Sequence, residues 1–296
     1  MVWKRLRRGD AAALSAAQAA YRVDFPASTA VVGEDEGFTY LPVTLVLRAG
    51  EMLREDQIVF ALGDNALVTL ESANDFPPFD RALTRMRRFP EYGADPRSVL
   101  RTLLEAMNEA TEEVIWVASA ALEVLNRDID RITLDSEDQG GRLFSAADIN
   151  ETMVDLNEQE GLISRCQENQ LMLARAARHL RVEVAASSRD LRQQVDTLLS
   201  DIDSVKQHAS FEHDKVRYLQ QSLMNSLTVK QNQIVKVFTI ITAVFLPPTL
   251  VATFYGMNFA VMPELAWEHG FTAAVAMTLF AAVLPLLYIR RKGWLR

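Results

Sequence analysis

Val237 to Tyr255 reads VFTIITAVFLPPTLVATFY, 19 residues without a charge. Phe271 to Ile289, FTAAVAMTLFAAVLPLLYI, is a second uncharged run of 19. At about 1.5 Å of rise per residue each is a helix roughly 28 Å long, close to the hydrocarbon thickness of a bilayer. A buried helix of that length in a water-soluble protein usually carries a charged stripe, so two transmembrane helices are predicted.

The flanks set the orientation. Lys230 and Lys236 precede the first run, and Arg290, Arg291, Lys292 and Arg296 follow the second. The loop between them has no Lys or Arg and carries Glu264 and Glu268. Positive flanks stay inside, which predicts a multi-pass protein of the cell (inner) membrane with both termini cytoplasmic. Trp267 and Trp294 fit as interfacial anchors. The start, MVWKRLRRGDAAALSAAQAA, is too weakly apolar after its basic cluster for a signal peptide and reads as a short opening helix.

The rest of the 296 residues therefore faces the cytoplasm. A net charge of −8 argues against a general nucleic-acid binder, which needs a basic face. Cys166 stands alone, so no internal disulfide forms. Residues 30–72 read as strands: VTLVLR at Val43–Arg48, then IVFAL and ALVTL about a Gly-Asp-Asn turn, a hairpin pattern. From Pro96 the pattern is helical, with segments near 97–134 and 145–181 separated by the polar break LDSEDQGGR. A third, long segment follows. Its Val195, Leu198, Ile202, Val205, Ala209, Val216, Leu219 and Leu223 step by threes and fours, interrupted by Glu212. Such a stripe predicts self-association of this region in preference to packing on helices of its own domain. His208 and His213, five apart, are badly spaced to share a metal and read as solvated. No phosphate-binding loop, HExxH or nucleophile triad is present, and no enzyme activity is expected.

The first apolar run has a polar side. Asn225, Thr228, Asn232, Val235, Thr239, Thr242, Leu246, Thr249 and Thr253 recur every three or four residues, within a stripe about 120° wide. One Thr can bond back to its own helix in lipid. Four on one face in line with asparagines point to a pore in a symmetric bundle. Pro247 and Pro248 remove two backbone donors there, leaving carbonyls tolerable only against protein or water.

Gly256-Met257-Asn258 after the first span, followed by Met262-Pro263-Glu264-Leu265, resembles the CorA family of magnesium/cobalt transport proteins. The similarity runs through QNQIVKVFTIITAVFLPPTLVATFYGMNF and the basic, tryptophan-bearing end, covering about residues 191–296. Upstream it rests on the order of strands then long helices, and the opening portion of the family's N-terminal domain is expected to be shortened. The resemblance implies an α+β cytoplasmic domain whose long helices lead into two membrane helices, in a funnel-shaped homopentamer. It implies a selectivity filter at Gly256, Met257 and Asn258, pore positions at Asn232 and Thr249, and constrictions at Val235, Phe238 and Leu246. Relatives commonly carry methionine at Val235 and Leu246. It further implies regulation by divalent ions held between cytoplasmic domains, for which Asp196, Asp201 and Asp203 on the stalk are candidates. No covalently bound cofactor is implied. Mg²⁺ is both the transported and the regulatory ion, with Co²⁺ and Ni²⁺ as further cargo.

The expected boundaries are 1–183 for the cytoplasmic domain, 184–236 for a stalk continuing into the pore helix, and 237–255 for the first span. The outer loop takes 256–270, the second span 271–289 and the basic tail 290–296. Mg²⁺ gives up water reluctantly, so a neutral ring of amide and carbonyl oxygens contacting its bound waters suits rapid passage better than carboxylates. No acid lies between Lys230 and Met262. Gly256 is expected to let the chain turn tightly, Met257 to pack behind the ring, and Glu264 and Glu268 to attract cations outside. At the inner surface Arg290, Arg291 and Lys292 form a basic collar, and the acidic tip Asp135, Glu137 and Asp138 is positioned to approach it. Two alternatives remain: a zinc-type transporter of the same superfamily, and a non-conducting membrane-anchored coiled-coil scaffold.

Overall fold

The computed structural model describes residues 2–25, 32–35, 37–49, 52–72, 75–137, 146–185, 187–257 and 267–293. Its elements are β1 (Trp3–Arg7), α1 (Ala11–Tyr21), β2 (Gly33–Asp35), β3 (Phe38–Ala49), β4 (Met52–Leu62), β5 (Leu67–Glu71), α2 (Pro77–Arg88), α3 (Pro96–Glu137), α4 (Ala146–Glu183), α5 (Arg189–Tyr255) and α6 (Gly270–Arg291). They divide into two compact units: 1–132 with 144–223, and 133–143 with 224–296.

The first unit is built on a five-stranded sheet of order β1-β5-β4-β3-β2, with β1 parallel to β5 and the other pairs antiparallel. Side chains alternate across a strand, and here both faces are apolar because both are covered. Leu41, Val43, Leu45, Ile58 and Phe60 enter one core with residues of α2, α3, α4 and α5. Tyr40, Val59, Ala61, Val68 and Leu70 enter another with Ala17 of α1. The predicted hairpin forms: Leu62 pairs with Leu67, and Gly63 N–H donates to the Ala66 carbonyl at 3.0 Å. Gly63 is required by close approach, since a Cβ there would lie 2.6 Å from the Phe38 ring.

Three expectations need correction. Trp3–Arg7 is a strand, not part of an opening helix, which begins only at Ala11. Its polar side chains are satisfied by distant partners: Arg5 grips buried Glu71 through two bonds of 2.8 and 2.6 Å, and Trp3 Nε1 donates to Thr69 at 3.1 Å. The α5 stripe is buried within the single chain, with Val195, Ala209, Val216 and Leu223 all at 0% exposure, and Val195, Leu198 and Ile202 join the sheet's core. That face is occupied by the chain's own packing and is not free for self-association. The two histidines are half-buried, not solvated. His208 lies 3.6 Å from Glu212 and edge-on to Trp116, while His213 lies 3.9 Å from Glu160.

Glu212, the polar interruption of the stripe, is buried and accepts from Ser119 Oγ of α3 at 2.8 Å. Lys215 beside it pairs with Glu123 of α3, holding that carboxyl below its usual range. A polar seam thus fixes the register of α5 on α3. Helix α2 is tied to α3 in the same manner, Arg81 to Glu113 and Arg85 to Glu105 and Glu109.

Candidate functional site

The second unit contains the two helices that are long and apolar enough to cross a membrane, the end of α5 and all of α6. Helix α5 continues unbroken to Tyr255 despite Pro247 and Pro248. Because each proline lacks an N–H, the carbonyls of Ala243 and Val244, four residues earlier, lose their helical donors. Helix α6 likewise carries Pro285 in its interior.

Every position of the polar stripe from Asn225 to Thr253 is exposed on the single chain. The apolar members are bare as well: Val235 at 61%, Phe238 at 66% and Leu246 at 63%. No side chain of this chain covers the stripe among the described residues.

The threonines have a defined polarity. Thr228, Thr239, Thr242, Thr249 and Thr253 each donate to the carbonyl four residues back, at 2.7 to 3.0 Å. A hydroxyl has one proton and two acceptor lone pairs. With the proton committed to the backbone, each oxygen presents only lone pairs outward. Along one side of α5 runs a column of acceptors, the polarity that the donating waters of a hydrated cation require.

At the end of the helix, Gly256 N–H donates to Ala252 at 3.0 Å and to Thr253 at 3.2 Å. Gly256 does not occupy the left-handed region. Its need for glycine is spatial, since a Cβ would stand 3.2 Å from the Ala252 carbonyl oxygen. Met257 is 45% exposed. Asn258 and Glu264 lie outside the described residues, whereas Glu268 is exposed beyond them.

The stalk acids do not converge. Asp196 pairs with Arg181 at 2.6 Å, Asp203 accepts from Gln207 at 2.7 Å, and Asp201 is exposed on another side of the helix. Positions 196 and 203 share a face but stand about 10 Å apart along it. Among the described residues no three His, Cys, Asp or Glu side chains could hold a metal ion together. Arg290, Arg291 and Lys292 are exposed at the end of α6. Asp138 and the side chains of Asp135 and Glu137 fall outside the described residues.

The model of the CorA-like Mg²⁺ transporter family matches residues 25–291. The chain is 32% identical over 238 residues to the magnesium transport protein CorA of Haemophilus ducreyi, covering 80% of this chain and 71% of the relative. It is 30% identical over 272 residues to the protein of the same name from Escherichia coli K12, covering 92% and 82%. Its fold matches the complete structure of the CorA magnesium transporter from Methanocaldococcus jannaschii, with a TM-score of 0.76 at 15% identity over 99% of this chain and 90% of that one. By family match and by descent, the chain belongs to the CorA-like Mg²⁺ transporters.

Proposed function

We propose that five copies of this chain form a divalent-cation channel that admits Mg²⁺, and with it Co²⁺ and Ni²⁺, into the cytoplasm. Members of this family are transporters, not enzymes. The observation that carries the reading is the exposed column of threonine acceptors on α5, which closes into a pore only when other copies bring the same face to an axis. In that pore Asn232 and Thr249 contact a hydrated ion, while Val235, Phe238 and Leu246 narrow the path. Gly256, Met257 and Asn258 form the outer filter, with Glu264 and Glu268 raising cation concentration outside. Both termini face the cytoplasm, and the membrane potential drives entry, since moving a dication inward gains about 4.6 kcal/mol per 100 mV.

Cytoplasmic divalent ions close the channel by binding between neighbouring soluble domains. Asp196, Asp201 and Asp203 contribute to such sites with acids of an adjacent copy, because unscreened carboxylates facing one another favour a shared cation.

Purified protein in liposomes is expected to take up Mg²⁺ down an imposed gradient, with Co²⁺ and Ni²⁺ competing and Zn²⁺ competing weakly. Changing the three aspartates together to Asn shifts closure to higher internal Mg²⁺. Absence of uptake leaves the scaffold reading standing, and dominant Zn²⁺ flux supports the zinc-type one. An unchanged closure curve removes the three acids from regulation.

A further inference from the structure

Strand β1 forms one edge of the sheet. The Val2 carbonyl accepts from Leu67 N–H at 2.8 Å, and Arg8 N–H donates to the Glu71 carbonyl at 3.0 Å, so the even-numbered residues bond β5. In a parallel ladder the residues between them turn both backbone groups the other way. Trp3, Arg5 and Arg7 therefore aim theirs outward. Among the described residues only the Arg7 carbonyl finds a partner there, Asp10 N–H at 3.1 Å, and no strand lies beyond β1. A cavity of about 580 Å³ follows this edge, with residues 2–5 as one bank and Leu83, Met86 and Arg87 of α2 as the other. Trp3, Leu83 and Met86 are half-buried and give it an apolar floor. The banks are basic in a chain whose net charge is −8. Strand β1 has three basic residues and no acid, and α2 has four arginines and one acid, Asp80. Arg5, Arg7, Arg81 and Arg85 are matched to acids. Lys4 and Arg87, both on the cavity's rim, are exposed and make no ion pair among the described residues.

We propose that this edge binds an extended segment of a partner protein in which apolar and acidic residues alternate. The segment adds a strand to the five, its backbone groups bonding those of Trp3 and Arg5. Three features converge on that occupant: an open main-chain edge, an apolar groove beside it, and a basic rim. Trp3 packs on Phe79 of α2, whereas Leu6 packs with Ala17 of α1, so Lys4 shares the face of Leu6. The apolar side chains of an added strand thus enter the groove against Leu83 and Met86. Its acidic ones fall on the opposite face beside Lys4, and Arg87 adds attraction at the rim. A second copy of β1 would instead set Lys4, Arg7 and Arg8 against their own kind, and like charges across a strand pair are destabilising. The inference does not depend on ion conduction, because binding is read directly.

The probe is a fluorescein-labelled peptide of alternating valine and glutamate, long enough to span the five residues of β1. Its anisotropy is followed as full-length protein in detergent is added, in parallel with a valine–lysine peptide and with the same valines and glutamates arranged in blocks. Saturable binding of one alternating acidic peptide per chain is expected, with the other two much weaker. Only every second N–H of an added strand faces β1, so N-methylation of one alternate set abolishes binding and of the other set does not. Lys4→Glu with Arg87→Glu weakens the glutamate peptide by about tenfold or more and strengthens the lysine peptide. Leu83→Asn weakens binding with both cations in place. Arg175→Glu with Arg217→Glu, exposed on α4 and α5, leaves it unchanged. Melting of each variant confirms that the fold is retained. No saturable binding by the wild type overturns the proposal. So does binding indifferent to the methylation pattern, or indifferent both to the charge reversal and to Leu83→Asn. Self-association that the charge reversal abolishes, with the peptide unbound, assigns the edge to a second copy and overturns it equally.

Discussion

Asn258→Ala is expected to abolish Mg²⁺ uptake while leaving the oligomer assembled. The substitution removes one amide from every copy, so a pentameric filter loses five at once. A hydrogen bond to a charged group contributes about 1.5–3 kcal/mol, and two such losses already correspond to about 100-fold in rate. Position 258 follows the end of α5 at Tyr255, so the substitution leaves the sequence of the helix unchanged. Flux of ²⁸Mg into liposomes, paired with sizing of the detergent-solubilised protein, separates the two effects. Near-normal uptake by the variant would remove the filter from Asn258.

Arg5→Ala is expected to unfold the soluble domain, or nearly so. Glu71 is 1% exposed, and Arg5 is its ion-pair partner, bonding both carboxylate oxygens while reaching Asp80 at 3.3 Å. The Glu71 bond holds the Arg5 guanidinium above its ordinary pKa, with Asp80 adding to it. Deleting the cation strands a carboxylate in the core, which costs about 3–5 kcal/mol. That is a large share of the roughly 5–15 kcal/mol by which a domain of this kind is stable. It also removes one tether of β1, which is otherwise held by its parallel ladder to β5 and by the Trp3–Thr69 bond. Melting of the full-length variant in detergent, followed by circular dichroism, measures the loss. Arg5→Ala with Glu71→Leu should recover much of it, since the stranded charge is then gone.

The central strands and the long helices were legible because their patterns are local. Leu41, Val43 and Leu45 point to one side while Tyr40, Val59 and Ala61 point to the other, an alternation visible without any partner. Strand β1 was not. Three of its five residues are basic, and the partner of the central one, Arg5, is Glu71, 66 residues away. Helix α2 was passed over because it opens with Pro77-Pro78, which reads as a break although proline fits a first turn. The α5 stripe shows the limit of periodicity. Heptad-like spacing marks a buried face but does not say whose helix buries it, and α3 and α4 of the same chain do so here. Glu212 was the clue, since a buried acid needs a designated partner, found in Ser119 of α3. For the pore, the threonine column was readable from spacing. The direction of its hydroxyl protons was not, and that direction makes the column an acceptor surface.

The central claim is that one face of α5 lines a water-filled path for cations. Cysteine substitution along the helix tests it on an unusually clean background. Cys166 is 0% exposed, and burial pushes its thiol up to about 12, so little thiolate exists to react. Single cysteines at Thr242, Thr249 and Thr253 sample the stripe, and cysteines at Val237, Val244 and Val251 sample the opposite face. Mg²⁺ uptake is followed before and after a cationic, membrane-impermeant methanethiosulfonate reagent. Block at the three threonine positions, with the three valine positions insensitive, is the predicted result. Block at the valine face, or equal indifference of both faces in a protein that still conducts, would contradict a pore lined by α5.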